Sequence, residues 1–387
     1  MQTRAERLSK LPPYLFVEID RGKAAARAAG RDVIDFGVGD PDQPTMDFIV
    51  DAMSEAIRDP SVHRYPKGRG MDDYREAVAR YFNKRYGVAL DVERDITALI
   101  GSKEGIGHLP TALINPGDVV LIPEPGYPVY TSGTIFAGGE PYAMPLREEN
   151  GWKPAFDEIP EDIRKRARLM YLNYPNNPTS ALAPIEFYEE SVAFARKYDI
   201  MLAHDCAYSE IYFGQPPASI MQVEGASDCA IEFHSLSKTF NMTGWRIGFA
   251  VGNSEVLAAL AATKDNLDSG AFTAIQRAAI VALDGYDRPE VKEQTAIYRN
   301  RRDILCEGLA NAGWPVRPPE ATFFAWVKCP EKLDSMTVAK RILDETGVVV
   351  VPGSGFGKTA DRFVRFALTV EAARTEEAVS RIAGITW

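Results

Sequence analysis

The residues with the most chemistry to offer crowd into one stretch, Ser235 to Gly248, which reads SLSKTFNMTGWRIG. Lys238 brings an amine, and Ser235, Ser237 and Arg246 surround it in sequence. Hydroxyls and a guanidinium donate hydrogen bonds to an anion, and an unprotonated amine attacks a carbonyl. The set therefore suits a ligand that carries both a phosphate and an aldehyde. The apolar run 230–233 just before it has the character of a buried strand, which puts Lys238 past a strand end, where an open α/β sheet keeps its ligand. A surface lysine in a polar loop is the plainer reading of Lys238 taken alone.

Other candidates fall at similar places. The apolar run 96–100 leads into Gly101, Ser102 and Lys103 and then a helical pattern over 104–114. A glycine turn that opens a helix leaves N–H groups and the positive end of the dipole facing outward, a seat for phosphate. After the run 119–122 comes PEPGYPVY, where Tyr127 offers an aromatic face for a heterocycle. The run 169–172 ends in NYPNNPTS, a rigid loop whose amides, Asn177 among them, must point somewhere definite. The run 200–203 delivers Asp205 and, three residues on, Tyr208. A carboxylate at a buried strand end either caps backbone or meets a cation. Arg365, flanked by Val364 and Phe366, needs an anion, which is either a substrate carboxylate or a structural acid. Gly39 closes the strand pattern VIDFGVG and permits close backbone approach. Tyr65 sits in the polar loop RYPKGRG as a turn residue or a ligand contact.

The elements that must position these groups follow from periodicity. Helical spacing of apolar residues predicts helices over 17–29, 46–58, 72–86 and 184–197. Alternation of apolar strands with helices through residue 283 predicts an α/β fold with a mostly parallel sheet and helices on both faces. Beyond about residue 286 the order becomes a long helix over 291–312, a strand at 323–327, a helix, a strand at 348–351, the loop PGSGFG, a strand at 363–368 and a closing helix. That is a smaller α+β C-terminal domain. The expected organisation is 1–44 as N-terminal arm and part of the small domain, 45–285 as the large domain and 286–387 as the small domain. The arm, with its apolar residues before the first helix, either docks on a second subunit or tucks onto its own body.

Composition bounds the partners. The chain has 387 residues, 45% apolar and 25% charged, with 44 basic against 54 acidic residues and a formal charge of −10. No basic block or stripe marks a nucleic-acid or membrane partner, so the expected partner is a small molecule. The N-terminus has no apolar signal core and no run is long enough to span a bilayer, which points to the cytoplasm. Cys206, Cys229, Cys306 and Cys329 are scattered without a C-x-x-C pair, and the four histidines show no metal-ligand spacing, so neither a disulfide framework nor a metal centre is expected.

Taken as an ordered set, NNPTS, DCAY, SLSK, WRIG and the late arginine resemble the fold type I aminotransferases of class I/II, which use pyridoxal 5'-phosphate. The likeness spans essentially the whole chain. It implies that Lys238 bonds the cofactor aldehyde and later moves the proton, and that Asp205 pairs with the pyridine nitrogen. It places Asn177 and Tyr208 at the phenolic oxygen and Tyr127 against the ring. Ser102, Lys103, Ser235, Ser237 and Arg246 would form the phosphate pocket, joined by Tyr65 from a neighbouring subunit of a homodimer with shared active sites. Arg365 would grip the substrate α-carboxylate, with Gly39, Lys103, Tyr127 and Asn177 beside it. Substrates would be an amino acid and a 2-oxo acid, commonly 2-oxoglutarate. The fuller strings PPYLFVEID, SKEGIGHL, HDCAYSEIYF and EFHSLSKTFNMTGWRIGFAVGN resemble the branch that transaminates LL-diaminopimelate in lysine biosynthesis, and Tyr14 would then also approach the substrate. Plant-type members of that branch carry a glutamate after the tyrosine matching Tyr65, for the distal ammonium. Lys67 and Arg69 occur here instead, and like charge disfavours that ammonium unless both side chains point away. Ser269 replaces an asparagine of that branch. The rival expectations are a broad alanine, aspartate or aromatic transaminase, a carbon–sulfur lyase on the same cofactor, and a cofactor-binding sensor without catalysis.

Overall fold

The structure is a computed structural model and describes residues 3–11 and 16–387, with 16–18 by backbone alone. From the N-terminus the strands are β1 (Ile34–Asp35), β2 (Ile96–Leu99), β3 (Val119–Glu124), β4 (Glu140–Pro145), β5 (Ala167–Asn173) and β6 (Met201–Asp205). They continue as β7 (Ala230–Ser235), β8 (Gly248–Gly252), β9 (Phe324–Lys328), β10 (Val348–Val349), β11 (Val351–Pro352) and β12 (Phe363–Ala367). Seven of them form one sheet in the order β2-β8-β7-β6-β5-β3-β4. β8 runs antiparallel to both its neighbours, while the ladders β3–β4, β3–β5, β5–β6 and β6–β7 are parallel. The mostly parallel α/β architecture is thus as expected. The C-terminal ends of β2, β5, β6 and β7 share one edge, which delivers Ser102, Asn173, Asp205 and Ser235 together.

Central strands covered on both faces need apolar side chains on both, and the 230–234 part of β7 and the Val119–Pro123 part of β3 are buried throughout. The helix Asp72–Tyr86 buries Tyr74, Ala77, Val78, Tyr81, Phe82 and Tyr86 at i, i+3, i+4, i+7, i+8 and i+12, one continuous stripe. Tyr74 and Phe82 are fully buried there, each contributing about 1.5–3 kcal/mol. The helix stops at Gly87, whose φ of +70° suits a residue without Cβ.

A second core gathers around β9, β12 and the helix Pro289–Asn311. β11, β12 and β9 form a three-stranded antiparallel sheet, and β1 pairs in parallel with β10.

Two strands are shorter than periodicity suggests. Only Ile34–Asp35 of the pattern 33–39 is a strand, because the following carbonyls are used elsewhere. Those of Gly37, Val38 and Gly39 accept from Arg365, Thr369 and Lys238. The pattern 348–351 splits at Val350, since its first half pairs with β1 and its second with β12. The helix Pro128–Phe136 and the antiparallel β8 were not foreseen in the sequence. All four cysteines are free and buried.

Candidate active site

Lys238 lies in the short helix Leu236–Thr239 that follows β7 directly, with Ser235 as its N-cap. The Ser235 Oγ accepts from the Ser237 N–H at 3.2 Å, which fixes the turn. The Lys238 carbonyl accepts from Gln294 Nε2 at 2.8 Å, and its Nζ donates to the Gly39 carbonyl at 3.0 Å. A Cβ on Gly39 would come within 2.8 Å of the Phe324 ring, so this close approach requires glycine. Burial lowers the Lys238 amine from 10.5 to about 8; the positive charges of Arg246 and Arg365 act in the same direction and Asp40 opposes them. A nucleophilic lysine at neutral pH needs this kind of depression.

Asp205 ends β6 and is 5% exposed. Its Oδ2 accepts from the Tyr130 hydroxyl at 2.8 Å, and its Oδ1 from the Ala207 N–H at 3.3 Å. Burial raises its carboxyl above the ordinary value, with the Tyr130 hydrogen bond working the other way. The loop after β5 is held by its own amides. Asn173 donates to the Asp205 carbonyl at 2.8 Å and accepts from the Asn177 N–H at 2.8 Å, and Asn176 Oδ1 accepts from Thr179. The Asn177 side chain is left to face β12, where its Oδ1 accepts from Arg365 Nη1 at 2.8 Å.

Arg365 is sandwiched between the rings of Phe324 and Phe356, at 4.2 and 4.8 Å from their centroids, and donates to the Gly37 carbonyl at 3.1 Å. Its Nε is buried without a partner among the described residues. Burial pushes the guanidinium down to about 10, so it stays charged at neutral pH, and no carboxylate among the described residues neutralises it by hydrogen bond. Of the two sequence-level alternatives, the structural acid is therefore absent among the described residues.

At the other end of the cavity the helix Ser102–Leu113 opens at Gly101, φ +74°, with no side-chain cap. A Cβ on Gly101 would sit 2.4 Å from Arg246 Nη2. Arg246 itself has φ +55°, and its Nη1 donates to the Thr243 carbonyl at 2.9 Å. The Ser237 Oγ is buried with no partner among the described residues, a donor in want of an acceptor.

The space between these groups is a cavity of about 510 Å³, in the range of small-ligand sites. Gly39, Ser102, Lys103, Tyr127, Asn177 and Asp205 line it, as do Tyr208, Ser235, Ser237, Lys238, Arg246 and Arg365. Tyr208 is held edge-on by Phe323 and Phe324, and Lys103 Nζ lies 5.9 Å from the Tyr127 ring centroid. Tyr65 is not brought to this cavity and is 92% exposed; Tyr14 lies outside the described residues. Neither Lys67 nor Arg69 offers a charge to it. Lys67 pairs with Asp72 at 2.7 Å, and Arg69 donates to the carbonyls of Arg94 and Ile96. Sequence reasoning passed over Tyr130, Thr243 and Phe324. Tyr130 left one signal, its place three residues after Tyr127 at the start of the helix Pro128–Phe136.

The model of the family "aminotransferase class I and II" matches residues 31–382. The LL-diaminopimelate aminotransferase of Halothermothrix orenii is 52% identical over 379 residues, covering 98% of this chain and 97% of the relative. That of Nitratidesulfovibrio vulgaris strain Hildenborough is 53% identical over 382 residues, covering 98% of each. Substrate-bound BacF from Bacillus subtilis superposes with a TM-score of 0.94 at 38% identity, covering 99% of this chain and 98% of that one. The chain belongs to the class I and II aminotransferases, a family that depends on pyridoxal 5'-phosphate. The donor set fits that group. An anion seat with an orphaned hydroxyl, a lysine of lowered basicity and a buried carboxylate occupy one cavity wall to wall.

Proposed function

We propose that this protein is an LL-2,6-diaminopimelate:2-oxoglutarate aminotransferase of lysine biosynthesis. The observation that carries the reading is about 50% identity over nearly the whole length to curated enzymes of that name. Lys67 pairs with Asp72 and Arg69 donates to backbone carbonyls, so neither charge faces the cavity of its own chain.

Pyridoxal 5'-phosphate bound in the cavity would supply an aldehyde for the amines and an electron-accepting ring. The phosphate would be held by Ser102, Lys103, Ser235, Ser237 and Arg246, the ring by Tyr127, its phenolic oxygen by Asn177 and Tyr208, and its nitrogen by Asp205. Arg365 binds the substrate α-carboxylate with its planar fork, which the two flanking phenyl rings keep from rotating. Asn177, already bonded to Arg365, orients that fork. Lys238 moves the α-proton at Nζ; with an amine near 8, both its protonated and neutral forms are accessible at working pH. Gly39 belongs to the same substrate end, and the family resemblance assigns Tyr14, which lies outside the described residues, to the substrate as well.

Residues 45–285 would be the cofactor-binding domain, and 1–44 with 286–387 the part that carries Arg365, consistent with the pairing of β1 to β10. Tyr65 would serve the site of a second subunit in a homodimer, which agrees with its exposure here. No helix among the described residues is long and apolar enough to cross a membrane, and a cytoplasmic location is proposed on that basis and on composition.

Purified protein offered LL-diaminopimelate, alanine, aspartate or phenylalanine, each with 2-oxoglutarate, tests the reading. Turnover of the first well above the others is expected; none would sink the assignment.

A further inference from the structure

Among the described residues, Tyr130 is the side chain that donates a hydrogen bond to the Asp205 carboxylate. Its hydroxyl donates to Oδ2 at 2.8 Å, whereas Oδ1 has only the long 3.3 Å contact from the Ala207 N–H. Tyr130 is fully buried and cannot swing away. Its ring stacks on Tyr171 at 4.7 Å and 19°, and the Tyr171 hydroxyl is anchored on the Ile106 carbonyl at 2.8 Å. Its own carbonyl accepts from Thr134 Oγ1 at 2.8 Å. Tyr127, one of the aromatics lining the cavity, is the N-cap of the same helix and meets Tyr130 edge-on at 6.0 Å. One short helix thus supplies an aromatic face and, three residues later, the hydrogen bond to the acid.

We propose that Tyr130 is a positioning residue for catalysis: it aims the Asp205 carboxylate and keeps it ionised, so that Asp205 presents a charge rather than a neutral acid to the ring nitrogen of the cofactor. The inference rests on the aminotransferase reading above. A hydroxyl donating to a carboxylate favours its ionised form, and Tyr130 is the side-chain donor on that carboxylate among the described residues, working against burial. Burial acts against ionisation here, so the effect of removing the donor has a definite sign.

The test is a double-mutant cycle with Tyr130→Phe and Asp205→Asn in the holoenzyme, together with cofactor affinity of the apoenzymes. The phenylalanine variant loses one oxygen and keeps the stack, so folding is checked by a native circular-dichroism spectrum and a single cooperative melt, at a somewhat lowered midpoint. Tyr130→Phe alone should lower kcat about ten- to a hundredfold with little change in the KM for the amino acid, the loss expected of one hydrogen bond to a charge. It should also shift the acid limb of the kcat profile to higher pH and weaken binding of pyridoxal 5'-phosphate, read by equilibrium titration. In the Asp205→Asn background the same change should do almost nothing further to kcat or to cofactor affinity. Equal losses in both backgrounds, or a wild-type pH profile in Tyr130→Phe, would overturn the proposal. If instead the wild-type holoenzyme turns over no amino acid, it is the aminotransferase reading that fails, and the titration still reports whether Tyr130 acts through Asp205.

Discussion

Arg365 in β12 and Asn177 in the loop after β5 meet side chain to side chain at 2.8 Å, although 188 residues separate them. The bond joins the three-stranded sheet to the seven-stranded one at the place where a substrate carboxylate would enter. Removing the arginine takes away a charge-assisted pair with the substrate, worth about 1.5–3 kcal/mol. Arg365→Ala should therefore raise the KM for the amino acid about ten- to a hundredfold, with a smaller effect on kcat. Arg365→Lys should recover only part, because an ammonium cannot bond Asn177, Gly37 and a carboxylate in one plane. Steady-state kinetics on both variants checks this, and an unchanged KM in the alanine variant contradicts the assignment.

The lowered basicity of Lys238 has a readable pH signature. An amine titrating at about 8 is half neutral there, so the rate at which the apoenzyme takes up pyridoxal 5'-phosphate should climb with pH and level off above about 8. A lysine of ordinary basicity, 10.5, would still be climbing at pH 10. The same shift acts on stability. Between about 8 and 10.5 the unfolded chain binds the proton more fully than the folded one, so the apoenzyme gains stability as pH rises through that window. Lys238→Met should abolish both effects, measured by stopped-flow absorbance and by urea unfolding.

Tyr65 gives a prediction about assembly. If its hydroxyl completes the phosphate pocket of a second subunit, Tyr65→Phe should weaken cofactor binding about tenfold or more, the scale of a bond to a charged group. Mixing Tyr65→Phe with Lys238→Ala subunits should then restore one complete site per mixed dimer, with wild-type affinity. Light scattering should report a dimer. A monomer, or no recovery on mixing, would remove Tyr65 from the site.

Much of this site was legible in the sequence because strand ends are easy to locate. Asp205, Asn177 and Lys238 each follow an apolar run, and in a parallel sheet such ends converge on one edge. What stayed hidden depends on contacts without a local signal. The Tyr130 hydroxyl meets a carboxylate 75 residues away, and nothing in PVY announces it. The phenyl sandwich of Arg365 joins β9 to the loop after β11. β8 was missed because its two glycines and single aromatic blur a strand pattern, although all five residues are buried. The histidines looked dispersed, yet His204 and His234 both reach Glu232, since Glu232 and His234 are two apart on β7 and His204 is the register partner of Glu232 on β6.

That last cluster is expected to carry stability rather than catalysis. Glu232 is fully buried and accepts from His204 Nδ1 at 3.0 Å, His234 Nε2 at 2.6 Å, the Ser219 hydroxyl at 2.9 Å and the Ile220 N–H at 2.9 Å. Burial alone would raise its carboxyl, but the two histidine hydrogen bonds outweigh it and hold the group well below the usual carboxylate range. Glu232→Ala should destabilise the apoenzyme by about 3–5 kcal/mol at pH 7, the scale for breaking a buried pair and leaving its partners unmatched. A depressed carboxyl contributes fully above its unfolded value of 4.5 and loses its contribution as pH falls further. The gap between wild type and Glu232→Ala in urea unfolding should thus hold from pH 7 to about 5 and narrow below 4.5. Holoenzyme kcat at pH 7 should change little, because Glu232 does not line the cavity. An equal urea midpoint for the two proteins at pH 7 would show that the network adds nothing to the fold.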